Sequence, residues 1–527
     1  MKAIKGQNLI GAAAVYGDTG GWQARNPATG EEIAPLYRGV SSALVSSACE
    51  SAWHAYDSFR ETPLSTRAHF LERVAALILE CGEDLVGRAV LETGLPRVRI
   101  EGERGRTVAQ LRMFARVVRE GGFIGARIDS ALPERSPVPR SDLRQRHIAL
   151  GPVAVFGASN FPLAFSVAGG DTASAFAAGC PVVVKAHSAH PGTSELVGRA
   201  VQRAVLDCGL PEGVFSLLFG TGAEVGAALV ANPRICAVGF TGSRAGGTAL
   251  MAIAARRQIP IPVYAEMSSI NPVYLFPGAL DTRSPQLARD FVTSLTLGAG
   301  QFCTNPGLVV AVDSQGLKSF IAAARAELTG TVAATMLNTT IHSAFKSGTQ
   351  RLAVSGDVET LARGQSGSGE NQSPAALFAV EAHIFMREPA LHHEVFGAAS
   401  LLVRCRDFAE LCEVAESLAG QLTATVHAEA SDWPAVQRLI PALERKSGRI
   451  VVNGFPTGVE VSDAMVHGGP YPSTSDGRST SVGSLAIQRF LRPVCYQDMP
   501  AALLPEALAD SNPLQLWRRL NGVMGQH

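Results

Sequence analysis

The amino-terminal part of the chain carries apolar residues at helical spacing. Between positions 64 and 91 apolar side chains recur every three or four residues, and Gly94 with Pro96 ends the segment. A second helical pattern runs from about 106 to 118. These patterns predict a helix-rich amino-terminal region.

From about residue 150, short and wholly apolar runs alternate with helical segments. The runs lie at 153–156, 181–184 and 237–240, and similar ones follow at 272–276 and 308–312. Apolar strands separated by helices are typical of a parallel sheet that is buried on both faces. We therefore predict an α/β fold with two doubly wound domains, whose ligands lie at the carboxyl ends of the strands.

Composition and charge exclude several classes of protein. Apolar residues make up 46% of the chain, and 46 basic residues balance 46 acidic ones, so we expect neither a nucleic-acid nor a membrane partner. The nine cysteines include no CxxC pair, which argues against disulfides and structural zinc. No leader or membrane-spanning pattern is evident, and we expect a cytoplasmic protein.

A cysteine that follows two glycines gives the strongest chemical signal. Cys303 closes the run GAGQFC, and Glu266 lies 37 positions upstream (303 − 266). A thiolate is a potent nucleophile, and a carboxylate takes a proton from a thiol or from water. A buried cysteine acting as a small apolar residue is the alternative, but the glycines favour an unusual backbone path. We predict covalent chemistry on a carbonyl carbon.

Six motifs give the chain a resemblance to the aldehyde dehydrogenase superfamily. They are GASNFP at 157–162, Lys185, FTGS at 240–243, Glu266, Cys303 and EVFG at 394–397, in that order. The segments 265–272, 102–107 and 188–193 most resemble 2,5-dioxovalerate (α-ketoglutaric semialdehyde) dehydrogenases. Bacterial NADP-linked fatty aldehyde dehydrogenases share part of this pattern.

The resemblance implies an aldehyde dehydrogenase-like architecture. It places a cofactor-binding domain at 1–130 and 151–266, a catalytic domain at 267–470, a β oligomerisation arm at 131–150 and 471–500, and a tail at 501–527. Residues 136–146 are rich in proline and polar side chains, which fits an extended arm. Arm strands would join sheets of neighbouring subunits, so a homodimer or homotetramer is expected.

The same resemblance implies NAD(P)-dependent oxidation of 2,5-dioxovalerate to 2-oxoglutarate. Cys303 would form a thiohemiacetal and then a thioester, and Glu266 would activate the hydrolytic water. Asn160 would stabilise the oxyanion together with the backbone N–H of Cys303. Two alternatives stay open, namely an NADP-dependent dehydrogenase of medium or long-chain aliphatic aldehydes and a catalytically silent binding or structural protein.

Cofactor contacts also follow from the resemblance. The implied cofactor residues are Lys185, Ser188, Gly242, Ser243, Gly247, Glu394 and Phe396. Ser188 stands where NAD-preferring relatives often carry a glutamate, and the next acid is Glu195. Because a carboxylate there would repel a 2′-phosphate, we predict that NADP is accepted and preferred and that NAD is possible.

The substrate contacts are inferred from charge and from the resemblance. Arg106 is the candidate for binding a distal carboxylate, with a salt-bridged surface arginine as the alternative. Phe161 and Phe455 are expected to contact the substrate. No metal site is predicted, since the paired histidines at 187 and 190 and at 392 and 393 lack a third clustered ligand.

Overall fold

The structure, a computed structural model, describes residues 4–527 and contains two large sheets, an arm sheet and a hairpin. The strands are β1 (Asn8–Ile10), β2 (Ala13–Val15), β3 (Gly21–Arg25), β4 (Glu32–Arg38), β5 (Arg127–Asp129), β6 (Leu143–Ala149), β7 (Val153–Phe156), β8 (Val182–Lys185), β9 (Phe215–Leu218), β10 (Ala237–Thr241), β11 (Val263–Glu266), β12 (Pro272–Leu275), β13 (Leu308–Val312), β14 (Glu359–Arg363), β15 (Ala376–Glu381), β16 (Ala399–Cys405), β17 (Gln421–His427), β18 (Ser447–Val452), β19 (Leu491–Gln497), β20 (Arg518–Leu520) and β21 (Val523–Gly525). The helices are α1 (Ser42–Arg60), α2 (Leu64–Glu80), α3 (Gly82–Thr93), α4 (Arg97–Glu120), α5 (Gly170–Ala178), α6 (Pro191–Asp207), α7 (Ala227–Ala231), α8 (Arg244–Arg256), α9 (Pro277–Thr296), α10 (Gln315–Gly330), α11 (Thr339–Val354), α12 (Ala382–Arg387), α13 (Phe408–Ser417) and α14 (Trp433–Lys446). None of the helices within 4–527 is both long and apolar enough to cross a membrane.

The first large sheet has the order β11-β10-β7-β8-β9-β1-β2, and its strands from β7 to β11 run parallel. The apolar runs predicted at 153–156, 181–184 and 237–240 form β7, β8 and β10. Every residue of β7, β8 and β9 is buried, because helices cover both faces of the sheet. The prediction of a doubly wound α/β domain is confirmed here.

The second large sheet has the order β14-β15-β16-β13-β12-β17-β18, in which only the β14–β15 pairing is antiparallel. It begins just after Glu266, with β12 and β13 matching the apolar runs at 272–276 and 308–312. Its two faces pack against separate apolar clusters. A second α/β unit is therefore confirmed.

The arm sheet has the order β19-β6-β5-β20-β21. It is wider than the sequence predicted, because β5 precedes the predicted arm and the tail at 501–527 returns to it as β20 and β21. Strand β20 pairs with β5 and so covers an edge that would otherwise expose unpaired backbone groups. The segment 484–490, predicted to belong to the arm, packs instead on the cofactor-domain core through Ile487 and Phe490.

The predicted amino-terminal helices differ from the observed ones mainly at their ends. The pattern over 64–91 divides into α2 and α3 at Cys81, whose backbone N–H still bonds to the carbonyl of Leu77. Helix α3 ends at Gly94, which adopts the left-handed conformation that glycine favours. The pattern over 106–118 extends to the full length of α4.

Candidate active site

A cleft of about 830 Å³ runs between the carboxyl ends of the first sheet and the second α/β domain. Strand ends of the first sheet contribute Phe156, Lys185 and Glu266 to its lining, and the second domain contributes Cys303 and Glu394. Parallel sheets gather ligand sites at this edge. The cleft is therefore the natural place for both a nucleotide and a second reactant.

The loop that carries Cys303 follows an unusual backbone path. Gly298, Ala299 and Gly300 all have positive φ angles, of 57°, 59° and 69°. A Cβ at Gly300 would lie 2.3 Å from the backbone of Gly397 and Ala398, so only glycine allows this approach. The close contact ties the cysteine loop to the segment that holds Glu394.

A buried asparagine braces the same loop from the other side. The side-chain amide of Asn271 donates to the carbonyls of Cys303 and Asn305 at 2.8 and 2.9 Å, and its oxygen accepts from Ser269 and Thr423. All four of these hydrogen bonds come from one side chain that is fully buried. The cysteine loop is thus fixed by specific contacts, as a precise reaction geometry requires.

Glu266 lies at the end of β11 in a fully connected hydrogen-bond network. One carboxylate oxygen accepts from Nε2 of His467 at 2.9 Å, and the other accepts from the hydroxyl of Ser481 at 2.7 Å. The same Nε2 lies 3.4 Å from Sγ of Cys303. Nδ1 of His467 is buried and has no partner. Nε2 therefore carries a proton, which it donates to the carboxylate.

The electrostatics of this group set two protonation states. Burial opposes the charge on Glu266, but electrostatic attraction to His467 and hydrogen bonds from His467, Ser481 and Cys303 outweigh it and hold the pKa of the carboxyl below its usual value. Burial and the nearby Glu266 carboxylate raise the pKa of the Cys303 thiol well above its usual value. The resting site thus holds a neutral thiol beside an ionised carboxylate.

Glu266, Cys303 and His467 also form the one group of potential metal ligands found within residues 4–527, with their donor atoms within 4.8 Å of one another. Hydrogen bonds already join these three side chains. We interpret the group as a nucleophile with an adjacent base.

The histidine pair at 187 and 190 stacks ring on ring at 5.4 Å, and Nε2 of His190 donates to a backbone carbonyl.

Asn160 lies beside the cysteine at the lining of the cleft and is 8% exposed. One hydrogen of its amide is donated to the carbonyl of Gln301 at 3.1 Å. A primary amide has two N–H donors, so the second remains for a ligand. This placement fits the expected role in holding an oxyanion, since Gln301 is two residues from Cys303.

The cofactor end of the cleft contains a buried lysine and the start of a helix. Lys185 ends β8, and burial lowers its pKa to about 8. Ser188 follows at the cleft lining, and its carbonyl accepts from the indole N–H of Trp22 at 3.2 Å. Gly242 and Ser243 line the cleft where α8 begins, and the Ser243 hydroxyl accepts from the N–H of Gly246 at 3.2 Å. A helix start of this kind favours anions.

Gly247 differs from its predicted placement. A Cβ at this position would lie 2.6 Å from the sulfur of Met267, so Gly247 is a packing glycine of α8 that faces the sheet. Its neighbour Gly246 lines the cleft instead. Successive residues of a helix point about 100° apart. A shift of one position along α8 therefore turns a residue from the cleft towards the core.

Glu394 and Phe396 line the opposite end of the cleft, near Cys303. Burial raises the pKa of Glu394 to about 7, although Ser268 hydrogen-bonds its carboxyl. A partly buried carboxyl with a pKa near neutral pH is only partly ionised, and a further hydrogen-bond donor would stabilise its charged form. The hydroxyls of a ribose would supply such donors.

The structure brings Arg106 close to the cysteine from α4. Burial lowers the pKa of the Arg106 guanidinium, whereas a negative charge on the sulfur of Cys303 raises it. Nη1 donates to the carbonyl of Val459, while Nε and Nη2 are buried without partners. The surface salt bridge considered as the alternative for Arg106 is therefore not what the structure contains.

The two candidate phenylalanines have different environments. Phe161 contacts the rings of Phe165 and Phe302 at 5.2 and 5.5 Å, next to Cys303. Phe455 lies 4.5 Å from the ring of His427 and packs on the core of the second domain, outside the cleft lining. It directly precedes the loop at 456–459, to which Arg106 and Arg449 donate.

The sequence of residues 16–492 matches the aldehyde dehydrogenase family. This match covers most of the chain and includes the cysteine, the glutamate and the nucleotide cleft. The chain belongs to the aldehyde dehydrogenase family. The α/β fold and the enzyme class expected from the sequence are confirmed.

Two relatives are similar to this aldehyde dehydrogenase over nearly their whole length. Alpha-ketoglutaric semialdehyde dehydrogenase 2 of Azospirillum brasilense is 58% identical over 98% of this chain and 99% of its own. Alpha-ketoglutaric semialdehyde dehydrogenase of Acinetobacter baylyi is 50% identical over 92% of each chain. These identities are high enough to guide the choice of substrate.

Solved structures support the fold at much lower identity. The 1-pyrroline-5-carboxylate dehydrogenase from Thermus with bound NAD has a TM-score of 0.78 and 21% identity, covering 93% of this chain and 92% of that one. A 3,6-anhydro-L-galactose dehydrogenase in complex with NADP has a TM-score of 0.80 and 20% identity, covering 93% and 99%. The family uses NAD or NADP.

Two residues of this dehydrogenase site were missed by the sequence reasoning. His467 and Ser481 hydrogen-bond to Glu266 across 201 and 215 positions of sequence. The segment that contains them was assigned partly to the catalytic domain and partly to the arm. Its only local signal is the glycine-rich run HGGPYP at 467–472, which shows a turn and not a partner for Glu266.

Proposed function

We propose that this aldehyde dehydrogenase oxidises α-ketoglutaric semialdehyde (2,5-dioxovalerate) to 2-oxoglutarate with a nicotinamide dinucleotide. The observation that carries the proposal is the 58% identity to a dehydrogenase of that name, over 98% of the chain. Arginines that lack a carboxylate partner on the substrate side of Cys303 support an acidic substrate. Neither alternative from the sequence has comparable support.

In the first step Sγ of Cys303 attacks the aldehyde carbon and forms a thiohemiacetal. The thiol proton moves to Glu266, whose ionised carboxylate lies within 4.8 Å of the sulfur. The free amide hydrogen of Asn160 then stabilises the oxyanion; such a donor lowers the barrier by about 3 kcal/mol. When bound, NAD(P)⁺ supplies the acceptor for the hydride that leaves this carbon.

In the second step water hydrolyses the thioester on Cys303. Glu266 first releases the thiol proton to solvent, then takes a proton from the water as its oxygen attacks the thioester carbon, and finally returns that proton to the departing sulfur of Cys303. His467 and Ser481 hold the carboxylate in place through two hydrogen bonds. We infer that His467 acts as a positioning residue that keeps Glu266 ionised and aimed at the thioester carbon.

The cofactor contacts are proposed from the lining of the cleft. Lys185 would bind the adenosine ribose, Glu394 would bind the nicotinamide ribose, and Phe396 would pack near the nicotinamide. NADP is proposed to be the preferred cofactor, because Ser188 is no obstacle to a 2′-phosphate. Glu195, the next acidic residue after Ser188, also supports a preference for NADP, because its buried carboxylate already accepts the backbone N–H groups of Lys5 and Gly6.

Arg106 is proposed to bind the distal carboxylate, because its unpaired Nε and Nη2 form one edge of a guanidinium and suit two parallel hydrogen bonds. The molecule is proposed to act as a homodimer or homotetramer through the arm sheet, whose edge strand β19 has one unpaired side. A reducing, cytoplasmic setting is proposed because the mechanism needs Cys303 as a thiol.

A substrate panel tests the proposed function. Formation of NADPH and of NADH is followed with 2,5-dioxovalerate, succinic semialdehyde, glutaraldehyde and hexanal. We expect the highest kcat/KM for 2,5-dioxovalerate and at least a threefold larger value with NADP than with NAD. A higher kcat/KM for hexanal would refute the substrate, and a tenfold preference for NAD would refute the cofactor assignment.

A further inference from the structure

Three arginines surround the substrate side of Cys303. They are Arg99, Arg106 and Arg449, and a thiolate at Cys303 acts on the charge of each. Burial opposes the positive charge of all three. Three partly buried cations in one place are costly unless anions balance them.

Arg99 has its partners within the protein. It donates to the carbonyl of Asn160 at 2.9 Å and lies 3.7 Å from the buried carboxylate of Glu103. Its guanidinium also stacks over the rings of Phe161 and Phe302, at 4.7 and 4.4 Å. The first arginine is therefore a structural cation that holds the oxyanion loop.

Arg106 and Arg449 donate to backbone carbonyls, and Arg106 lies over the ring of Phe165 at 5.7 Å, but neither has a carboxylate partner anywhere in residues 4–527. Glu103 is already engaged, because one of its oxygens accepts the N–H groups of Leu163 and Ala164. Glu460 and Glu266 also act on Arg106, but Glu460 is exposed to solvent and Glu266 is hydrogen-bonded to His467 and Ser481. Two cations thus remain for an anion that the protein does not supply.

Both arginines hold the same short loop through its carbonyls. Arg449, on strand β18, donates from Nη1 to Gly458 at 2.9 Å and from Nη2 to Pro456. Arg106, on helix α4, donates from Nη1 to Val459. The loop at 456–459 therefore fixes the two guanidinium groups relative to each other.

Three donors are left over, and all of them are buried. They are Nε and Nη2 of Arg106 and Nε of Arg449. The first two lie on one edge of a guanidinium and match the two oxygens of a carboxylate. The third is a single donor, which matches one carbonyl oxygen. Buried donors of charged groups are expensive to leave unpaired, so the pattern indicates a ligand with three acceptors.

We propose that Arg449 is a specificity-determining residue, which together with Arg106 forms a clamp for the 2-oxo acid end of the substrate. The inference rests on the proposed function and deepens it. The Arg106 edge binds the carboxylate, and Nε of Arg449 donates to the neighbouring 2-oxo oxygen. An aldehyde with a carboxylate but no 2-oxo group would use only the first part of the clamp.

The test compares three five-carbon aldehydes on wild-type protein and on the Arg449→Met variant. They are 2,5-dioxovalerate, 5-oxopentanoate, which lacks the 2-oxo group, and pentanal, which lacks both acceptors. For Arg449→Met the ratio of kcat/KM for 2,5-dioxovalerate to that for pentanal should fall by about 10- to 100-fold, mainly through KM. The corresponding ratio for 5-oxopentanoate should fall less than threefold.

Controls separate the clamp from general damage to the loop. Arg445 is exposed on α14 and pairs with Glu416 on α13. The Arg445→Met variant should therefore leave both kcat/KM ratios unchanged. Arg449→Lys keeps the charge and should give an intermediate loss. In wild-type protein, independent of any variant, KM for 5-oxopentanoate should exceed KM for 2,5-dioxovalerate by about tenfold or more.

Several outcomes would overturn the inference. Equal KM values for the two acids in wild-type protein would do so, as would Arg449→Met losses that are equal for all three aldehydes, because those show a loop-folding role. Wild-type protein that oxidises pentanal but not 2,5-dioxovalerate would overturn the proposed function itself. Wild-type protein that prefers 2,5-dioxovalerate while Arg449→Met keeps that preference would overturn the clamp alone.

Discussion

Replacing His467 with leucine should raise the pKa of Glu266 and move the pH dependence of thioester hydrolysis. The change removes the Nε2 donor 2.9 Å from the buried carboxylate and leaves the Ser481 bond in place. A hydrogen bond to a charged group contributes about 1.5–3 kcal/mol. At 1.36 kcal/mol per pKa unit, this loss corresponds to a rise of about 1–2 units. The pKa of Glu266 rises in this variant because His467 stabilises the ionised form of the carboxyl.

The assay is burst kinetics from about pH 4 to 9, a range that reaches the acidic limb of the wild-type protein; the burst of NADPH reports acylation and the steady state reports hydrolysis. Since Glu266 must be ionised to activate water, the acidic limb of the hydrolysis rate should move up by about 1–2 pH units in His467→Leu. His467→Gln keeps an N–H donor and should restore part of the shift. If the limb stays in place with leucine, His467 does not govern the charge of Glu266.

Three further predictions concern the cofactor, the oxyanion and stability. Burial lowers the pKa of Lys185 to about 8, and NADP is expected to bind the protonated lysine. The Kd for NADP should therefore stay constant from about pH 7 to 8 and rise about tenfold per pH unit above that. Fluorescence titration should show this rise in wild-type protein and its loss in Lys185→Met. Asn160→Ala should lower kcat about a hundredfold in steady-state assays, whereas a tenfold or smaller loss would exclude the oxyanion role. Glu92 is fully buried and bonds Thr193 at the start of α6, so Glu92→Ala should cost about 3–5 kcal/mol in urea unfolding. The exposed Glu72→Ala control should cost less than about 1 kcal/mol, and equal losses would refute the argument.

The sequence was informative where local pattern and chemistry coincide. The apolar runs at 153–156 and 181–184 could only be buried strands, and their polar ends became the edge of the cleft. The run before Cys303 was also decisive, because two glycines signal a backbone that a side chain would obstruct. The structure brings Cys303 and Glu266 together in this cleft, as the motifs led us to expect.

Features that depend on distant contacts could not be predicted. His467 joins Glu266 and Cys303 from 201 and 164 positions away. The return of the tail to pair with β5 is equally non-local. Gly247 was misplaced because the sequence does not determine helix rotation to one residue.

The central claim is that Cys303 carries the acyl group while Glu266 is needed to release it. The most direct measurement is intact-protein and peptide mass spectrometry of Glu266→Gln after mixing with 2,5-dioxovalerate and NADP. The account predicts slow formation of at most one equivalent of NADPH, because Glu266 also accepts the thiol proton, and one 2-oxoglutaryl group that stays bound as a thioester to Cys303. Full turnover by this variant, or an acyl group found on any other residue, would contradict it.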